Sequence, residues 1–331
     1  MPSYNFKRES QVFIVSGGLR YKLDVPDISF SQTFSEQSYP VKTLHAQNDV
    51  FEGSIINKAN AATFSFTIPA ITEADFEIVR DKLLDAGSFD LYIKTSADTF
   101  KLETAVITNG SFGIERSRPL SIQIQGEASK LTRGAALAGT LQNRSAAMSY
   151  TVPRVSITLN STLLDGVTSV AMELQNDISW TPYTTVHNAL TVTNASNTMY
   201  PNAFVLSKKI LSGSITQYLT DATVSNTLDW DTDASLTISA GNGLASPNFR
   251  GFSFGPATCS FTNRVNTGTV YTQNYDWRMV ENVSSLATKL NYILTEEVNI
   301  NGTKKTNGGY KIYMDRFPRT RKFSNRSVKP F

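Results

Sequence analysis

Apolar and polar residues alternate along Ala61–Pro69. Ala62, Phe64, Phe66 and Ile68 fall on one side, and Ala61, Thr63, Ser65 and Thr67 on the other. A period of two predicts a strand with one apolar and one hydroxylated face, and Pro69 ends it. The period then changes. Phe76, Val79, Leu83 and Ala86 recur at helical spacing,. Thr72 is placed to cap that helix with Asp75 following, and Gly87 stands at its C-terminal end,. The unit is a strand, a short break and an amphipathic helix.

The same reading extends along the chain. Gln11–Ser16 and Arg20–Val25 flank Gly17-Gly18 and predict a hairpin,. Ile28–Phe34 alternates as a further strand. Residues 36–60 are mixed and polar, which predicts a long connection, and long ordered connections in compact domains are usually functional,. After the helix come strands over Phe89–Lys94, Thr99–Thr108, Gly110–Arg116 and Leu120–Ala128, with Asn109-Gly110 as a turn,. Residues 132–149 are small and polar and read as an interdomain linker,.

The order of elements then repeats. Val155–Leu159 and Val167–Leu174 resemble the opening hairpin, with Asp165-Gly166 as the turn, and Ile178-Ser179-Trp180 echoes Ile28-Ser29-Phe30. A long connection, Thr181–Lys208, precedes Leu211–Leu219, which echoes the hydroxylated strand. Thr220–Leu228 can hold a short helix. Ser235–Ala240 corresponds to Phe89–Lys94, Ala257–Arg264 to Gly110–Arg116, and Val270–Trp277 to Leu120–Ala128, with Asp276 in the place of Glu127. The reading is a mainly β (α+β) chain with two copies of one domain, each mostly antiparallel strand with one helix. Residues 1–140 form the first domain, 141–300 the second, and 301–331 a C-terminal extension.

Composition narrows the function. The chain has 331 residues, of which 18% are charged. That charge share is low for a soluble enzyme, and Ser, Thr and Asn take its place. A single cysteine, Cys259, allows no internal disulfide, and two histidines, His45 and His187, leave little for a zinc site,. No run of 18 apolar residues predicts a membrane span,. The N-terminal residues lack an apolar signal core, so assembly in a reducing cytosol is expected,. Charge is unevenly placed. Residues 301–331 hold nine of the 31 basic residues and one of the 28 acids. Tyr310, Arg316, Phe317, Arg321, Phe323 and Phe331 interleave aromatic rings with these charges, which sets docking between subunits beside a disordered, solvated arm as equal readings,.

Catalytic patterns are weak, and no catalytic, cofactor or metal residues are assigned. Glu73, Asp75, Glu77, Asp81 and Asp85 fall mostly on the exposed face of a helix,. Asp229, Asp231 and Asp233 alternate but lack the glycine and distal glutamate of a calcium loop,.

The informative feature is a set of polar strand faces. These are Ser29, Ser31 and Thr33; Thr63, Ser65 and Thr67; Ser121, Gln123, Gln125 and Glu127; Ser212, Ser214 and Thr216; and Thr272, Asn274 and Asp276. A solvent-facing sheet usually scatters Lys, Arg and Glu there. Here cations are missing from all five segments. A wall that lets a polyanion slide should lack cations, because each phosphate–cation contact adds affinity.

The duplicated arrangement resembles the tail tube (major tail) protein of long-tailed bacteriophages, in the form with two fused tube domains. The resemblance rests on residues 51–69 and 112–126 in the first copy, and on Leu174–Pro182 and Ile210–Asp221 in the second. It covers residues 10–285 in order and spacing, and departs from the pattern in the basic aromatic extension. It implies domains that are β-sandwiches with a flanking helix and that close as trimeric, pseudo-hexameric rings. Inner strands would form a barrel around the DNA path, and residues 36–60 and 181–208 would reach neighbours. The implied partners are further copies of the chain, tape-measure, tail-terminator and baseplate proteins, and transient, non-sequence-specific contact with DNA, without membrane insertion. The implied location is the virion tail, after assembly in the host bacterial cytoplasm. Two other readings compete: a ring-forming tail terminator or baseplate-proximal protein, and a β-rich adhesin or carbohydrate-binding module.

Overall fold

The computed structural model describes residues 10–40, 52–142, 151–180, 200–201, 203–220, 233–245, 248–281, 286–293, 299–300 and 303–304. The chain forms two compact units, Met1–Glu296 and Glu297–Phe331. All strands and helices named below belong to the first unit, apart from a short antiparallel pair, Asn299–Ile300 with Thr303–Lys304, in the second.

The expected hairpin forms β1 (Gln11–Ser16) and β2 (Leu19–Leu23). Its turn needs φ of 57° and 77° at Gly17 and Gly18, which glycine adopts without a Cβ clash,. β3 (Ile28–Ser31) follows. The predicted connection over 36–60 is not structureless. β4 (Phe34–Pro40) and β5 (Glu52–Ala59) form an antiparallel ribbon from Phe34↔Ala59 to Pro40↔Glu52. Main-chain pairing builds this ribbon, so no apolar alternation marks it in the sequence.

β6 (Ala62–Ile68) has the predicted faces: Ala62, Phe64, Phe66 and Ile68 are buried, while Thr63 and Thr67 are exposed. Helix α1 (Glu73–Asp85) then begins at Thr72. The Thr72 hydroxyl accepts from the Asp75 amide at 3.1 Å and donates to the Asp75 carboxylate at 2.8 Å. At the other end the left-handed residue is Ala86 (φ 47°), one position before the glycine expected there.

β7 (Phe89–Lys94) leads to β8 (Thr99–Gly113), which runs straight through Asn109-Gly110. The predicted turn is absent because Gly110 serves packing. A Cβ there would lie 2.5 Å from Leu83 Cδ2 of α1. β9 (Ser121–Ala128) and β10 (Lys130–Arg133) complete this part. The predicted linker contains part of β10 and also β11 (Thr140–Leu141), which pairs parallel to β2.

The second run of elements departs from expectation at its start. β12 (Arg154–Leu159) turns at Asn160-Ser161 into β13 (Thr162–Leu163). Both turn residues have positive φ, 49° and 67°, as a two-residue hairpin requires,. β14 (Val167–Trp180) does not pair back on β12 across Asp165-Gly166; it pairs with β15 (Phe204–Tyr218) and with β8. The predicted connection therefore ends at Phe204 rather than Lys208, and its residues 181–199 lie outside the described residues. So do residues 221–232, which cover most of the predicted second helix. β16 (Asp233–Gly241), β17 (Gly251–Asn266), β18 (Thr272–Met279), α2 (Leu286–Lys289) and β19 (Leu290–Ile293) follow.

Pairing joins the strands β1 to β19, apart from the separate β4–β5 ribbon, into a mainly antiparallel sheet. One stretch runs β3-β6-β9-β8-β14-β15-β18-β17. It is open: β3 bonds to β6 alone, and beyond Ser260 the strand β17 bonds to β18 alone, among the described residues. A single apolar core lies on one side of this stretch. There α1 packs over β8, and Phe76 meets Phe112, Phe252 and Tyr292 at 5.5 to 6.5 Å between ring centres. Asn176 of β14 donates to the carbonyls of Leu83 and Ile107, both at 2.9 Å, and Lys209 of β15 donates to Leu84. The helix C-terminus is thus capped by residues far along the chain, which satisfies carbonyls that the helix leaves without partners.

Candidate functional site: a polar concave sheet face

The other side of the eight-strand stretch is polar, and pairing sets its side chains in rows. One row crosses seven strands: Thr67, Gln123, Ser111, Glu173, Ser212, Arg278 and Ser260. A neighbouring row is Ser121, Gly113, Ala171, Ser214, Asp276 and Thr262. A third joins Ser29, Ser65, Gln125, Asn109 and Gln175. Ser31, Thr63 and Glu127 lie level, as do Thr216 and Asn274, and Thr272 stands at the start of β18. The predicted hydroxyl and amide residues therefore share one face. Thr33 is the exception: it lies between β3 and β4, with its hydroxyl accepting from Asn60 at 2.9 Å.

Two concavities mark this face. One, of about 550 Å³, is lined by Ser111, Glu173, Ser212, Ser214, Asp276 and Arg278 among others. The other, of about 290 Å³, is lined by Ser29, Thr63, Ser65, Thr108, Gln125 and Glu127 among others. Among the described residues, no hydroxyl that lines either concavity is hydrogen-bonded to a carboxylate. Several of the side chains bond to one another. Thr216 donates to Asn274 at 2.9 Å, and Asn274 to Asp276 at 3.2 Å. Trp180 Nε1 donates to Glu127 at 2.7 Å, and Asn109 donates to Glu173.

The face is not free of cations. Arg264 and Arg278 lie on it, and Arg264 Nη2 is 2.9 Å from Asp276 Oδ2. The signal was present in the sequence: Arg278 continues the alternation of Thr272, Asn274 and Asp276 by one step. Ser111 and Glu173 were also missed, because a turn was expected at Asn109-Gly110 and the face of β14 was not read.

Other reactive groups have structural settings. Cys259 is buried, and burial pushes its thiol up to about 12. Glu281 is held down at about 2 by Lys289, with the Thr258 amide also donating to it. Asp75 is buried in the first turn of α1, where its carboxylate accepts from the capping Thr72 hydroxyl, while Glu77, Asp81 and Asp85 are exposed as expected. Among the described residues, no group of three or more His, Cys, Asp or Glu could hold a metal ion. His45, His187, Asp229, Asp231, Tyr310, Arg316, Phe317, Arg321, Phe323 and Phe331 lie outside the described residues. No helix among the described residues is long and apolar enough to cross a membrane.

The described residues thus set a broad polar sheet face against a single apolar core. Residues 2–85 and 77–293 match the Bacteriophage Baseplate Tube Protein Family, and the chain belongs to it. It is therefore a structural protein of the phage baseplate or tail tube and not an enzyme. No curated protein matches it.

Proposed function

We propose that three copies of this chain close into a pseudo-hexameric ring whose polar faces line a channel for DNA. The observation that carries this reading is the pairing of β14 with β8. It is an internal template for joining one tube domain to the next.

The template depends on two equivalent domains, residues 1–140 and 141–300, with 301–331 as an extension. Matching bulges support that equivalence. The ladder shifts between Phe89 and Leu91 against β8, and between Leu236 and Ile238 against β17. Counting from these bulges puts Ile124 level with Trp277, Phe66 with Gly213 and Ile28 with Met172. Phe66 opposite Ile124 in one domain becomes Gly213 opposite Trp277 in the other. Bulk moves across the ladder, so sequence identity fades while the fold is kept. This count replaces the sequence-based correspondences of Ile28 with Ile178, of Glu127 with Asp276 and of Gly110–Arg116 with Ala257–Arg264.

Within the chain, Glu173 lies opposite Ser111 and Ala171 opposite Gly113. The same relation between copies sets β3 against the open edge of β17, with Ser29 opposite Thr262 and Asp27 opposite Arg264. This pairing satisfies two open edges and brings opposite charges together. Six domains then give a continuous barrel. Tape-measure, terminator and baseplate proteins would meet its ends. The family's description supports a baseplate-proximal ring as the specific form of this reading.

Electron microscopy of the purified protein tests the ring, and Ser29→Cys with Thr262→Cys tests the register. Mild oxidation should give covalent trimers. Monomers only, with no rings in the images, would refute the proposal.

A further inference from the structure

The two halves of the polar face differ in charge. With Ile124 level with Trp277, Gln125 stands where the second half has Arg278, and Gln123 where it has Asp276. Across the ladder, Gly110 opposite Ile124 becomes Phe261 opposite Trp277, so Gly113 stands where the second half has Arg264. The first half therefore has no charge at any of these three positions. The two arginines also differ from each other. Arg264 Nη2 lies 2.9 Å from Asp276 Oδ2 and is neutralised by it. Arg278 is exposed, and among the described residues its guanidinium has no hydrogen bond or ion pair. Level with it stand Ser212 on β15 and Ser260 on β17, and all three line the larger concavity. Of the acids lining that concavity, Asp276 is taken by Arg264. Glu173 lies two strands away from Arg278, about 10 Å, and Asn109 donates to it.

A free guanidinium among hydroxyls matches a phosphate, which accepts two parallel N–H donors and further O–H donors. The three rows of the face hold no aromatic ring. They offer no platform on which bases could stack, so a nucleic acid would be met at its backbone. An extended peptide is a poorer fit, because β18 is paired on both edges at Arg278 and leaves no strand edge open to it,. We infer that Arg278 is the DNA-phosphate contact of the second half, set into a wall that is otherwise built to let a polyanion slide. The inference rests on the ring reading above. A ring of three copies then carries three such contacts, one on every second domain. Each releases counterions when a phosphate binds, so added salt loosens the grip. The uncharged Gln125 of the first half keeps the number at three instead of six.

The test uses full-length rings closed covalently through Ser29→Cys and Thr262→Cys, with a short fluorescent DNA duplex and anisotropy measured over a range of salt. Three contacts should weaken binding about 40-fold between about 50 and 200 mM salt, at a slope of about 0.9 per phosphate. Arg278→Gln should abolish that share of the salt dependence, Arg278→Lys should keep it, and Gln125→Arg should about double it. No binding of the duplex by closed trimers, or a slope unchanged by Arg278→Gln, overturns the contact and leaves the ring standing. Tighter binding of polyglutamate than of the duplex overturns DNA as the occupant. Absence of covalent trimers, with no rings in the images, overturns the ring reading and this role with it.

Discussion

Gly110 and Thr72 fix the position of α1 by opposite means, one by lacking a side chain and the other by using it. A methyl group at Gly110 would press into Leu83. Gly110→Ala should therefore cost about 1–3 kcal/mol through overpacking, read as a lower melting temperature. Thr72→Ala removes the bond to the Asp75 amide and should cost about 1 kcal/mol by the same assay. Glu281 gives a pH-dependent case. Its carboxyl titrates at about 2 rather than 4.5, because Lys289 and the Thr258 amide favour the charged form. A carboxyl depressed by folding adds stability above its unfolded value and loses it as pH falls towards the folded one. Glu281→Gln should thus be less stable than the parent at pH 7. The gap should close between about pH 4.5 and 2 in denaturant titrations at stepped pH. On the polar face, Thr67→Lys adds a phosphate contact to a wall proposed to pass DNA. Assembly should persist while DNA ejection slows, and unchanged ejection kinetics in reconstituted particles would exclude Thr67 from the channel wall.

Among the elements, β8 carries the most connections. Its first part pairs with β7 and β10, and its last part with β9 and β14. Asn176 ties this junction to α1 through the carbonyls of Leu83 and Ile107. Asn176→Leu leaves both carbonyls without this donor, and should destabilise the protein by about 2 kcal/mol or more, measured by chemical denaturation. The strands with one apolar and one polar face were legible in the sequence. β6, β7 and β9 fall within a residue of their expected bounds, and Thr72 caps the helix as read. What escaped was set by contacts distant in the chain. Asn109-Gly110 has the composition of a turn, yet its glycine answers to a helix side chain. The β4–β5 ribbon is held by main-chain bonds that leave no apolar period. The hydroxyl rows were legible strand by strand, because alternation is local. Their arginines were missed because the windows stopped short of Arg278 and left out the polar side of Ala257–Arg264.

For the whole molecule, the extension 301–331 is proposed to dock between subunits. A chain ending at residue 300 should then show weakened or absent ring and tube formation by microscopy, and normal assemblies would make the extension a surface arm. The β14–β8 junction also bears on how assembly starts. A ring of six separate domains needs six bodies to meet. In the proposed ring every second junction is built into the chain, so only three bodies must meet, and each internal junction forms at a high effective concentration. The rate of ring nucleation should then climb no more steeply than the cube of protein concentration. A lag measured by light scattering over a dilution series would follow that law, and the fused chain could begin rings at dilutions where single domains would stay apart.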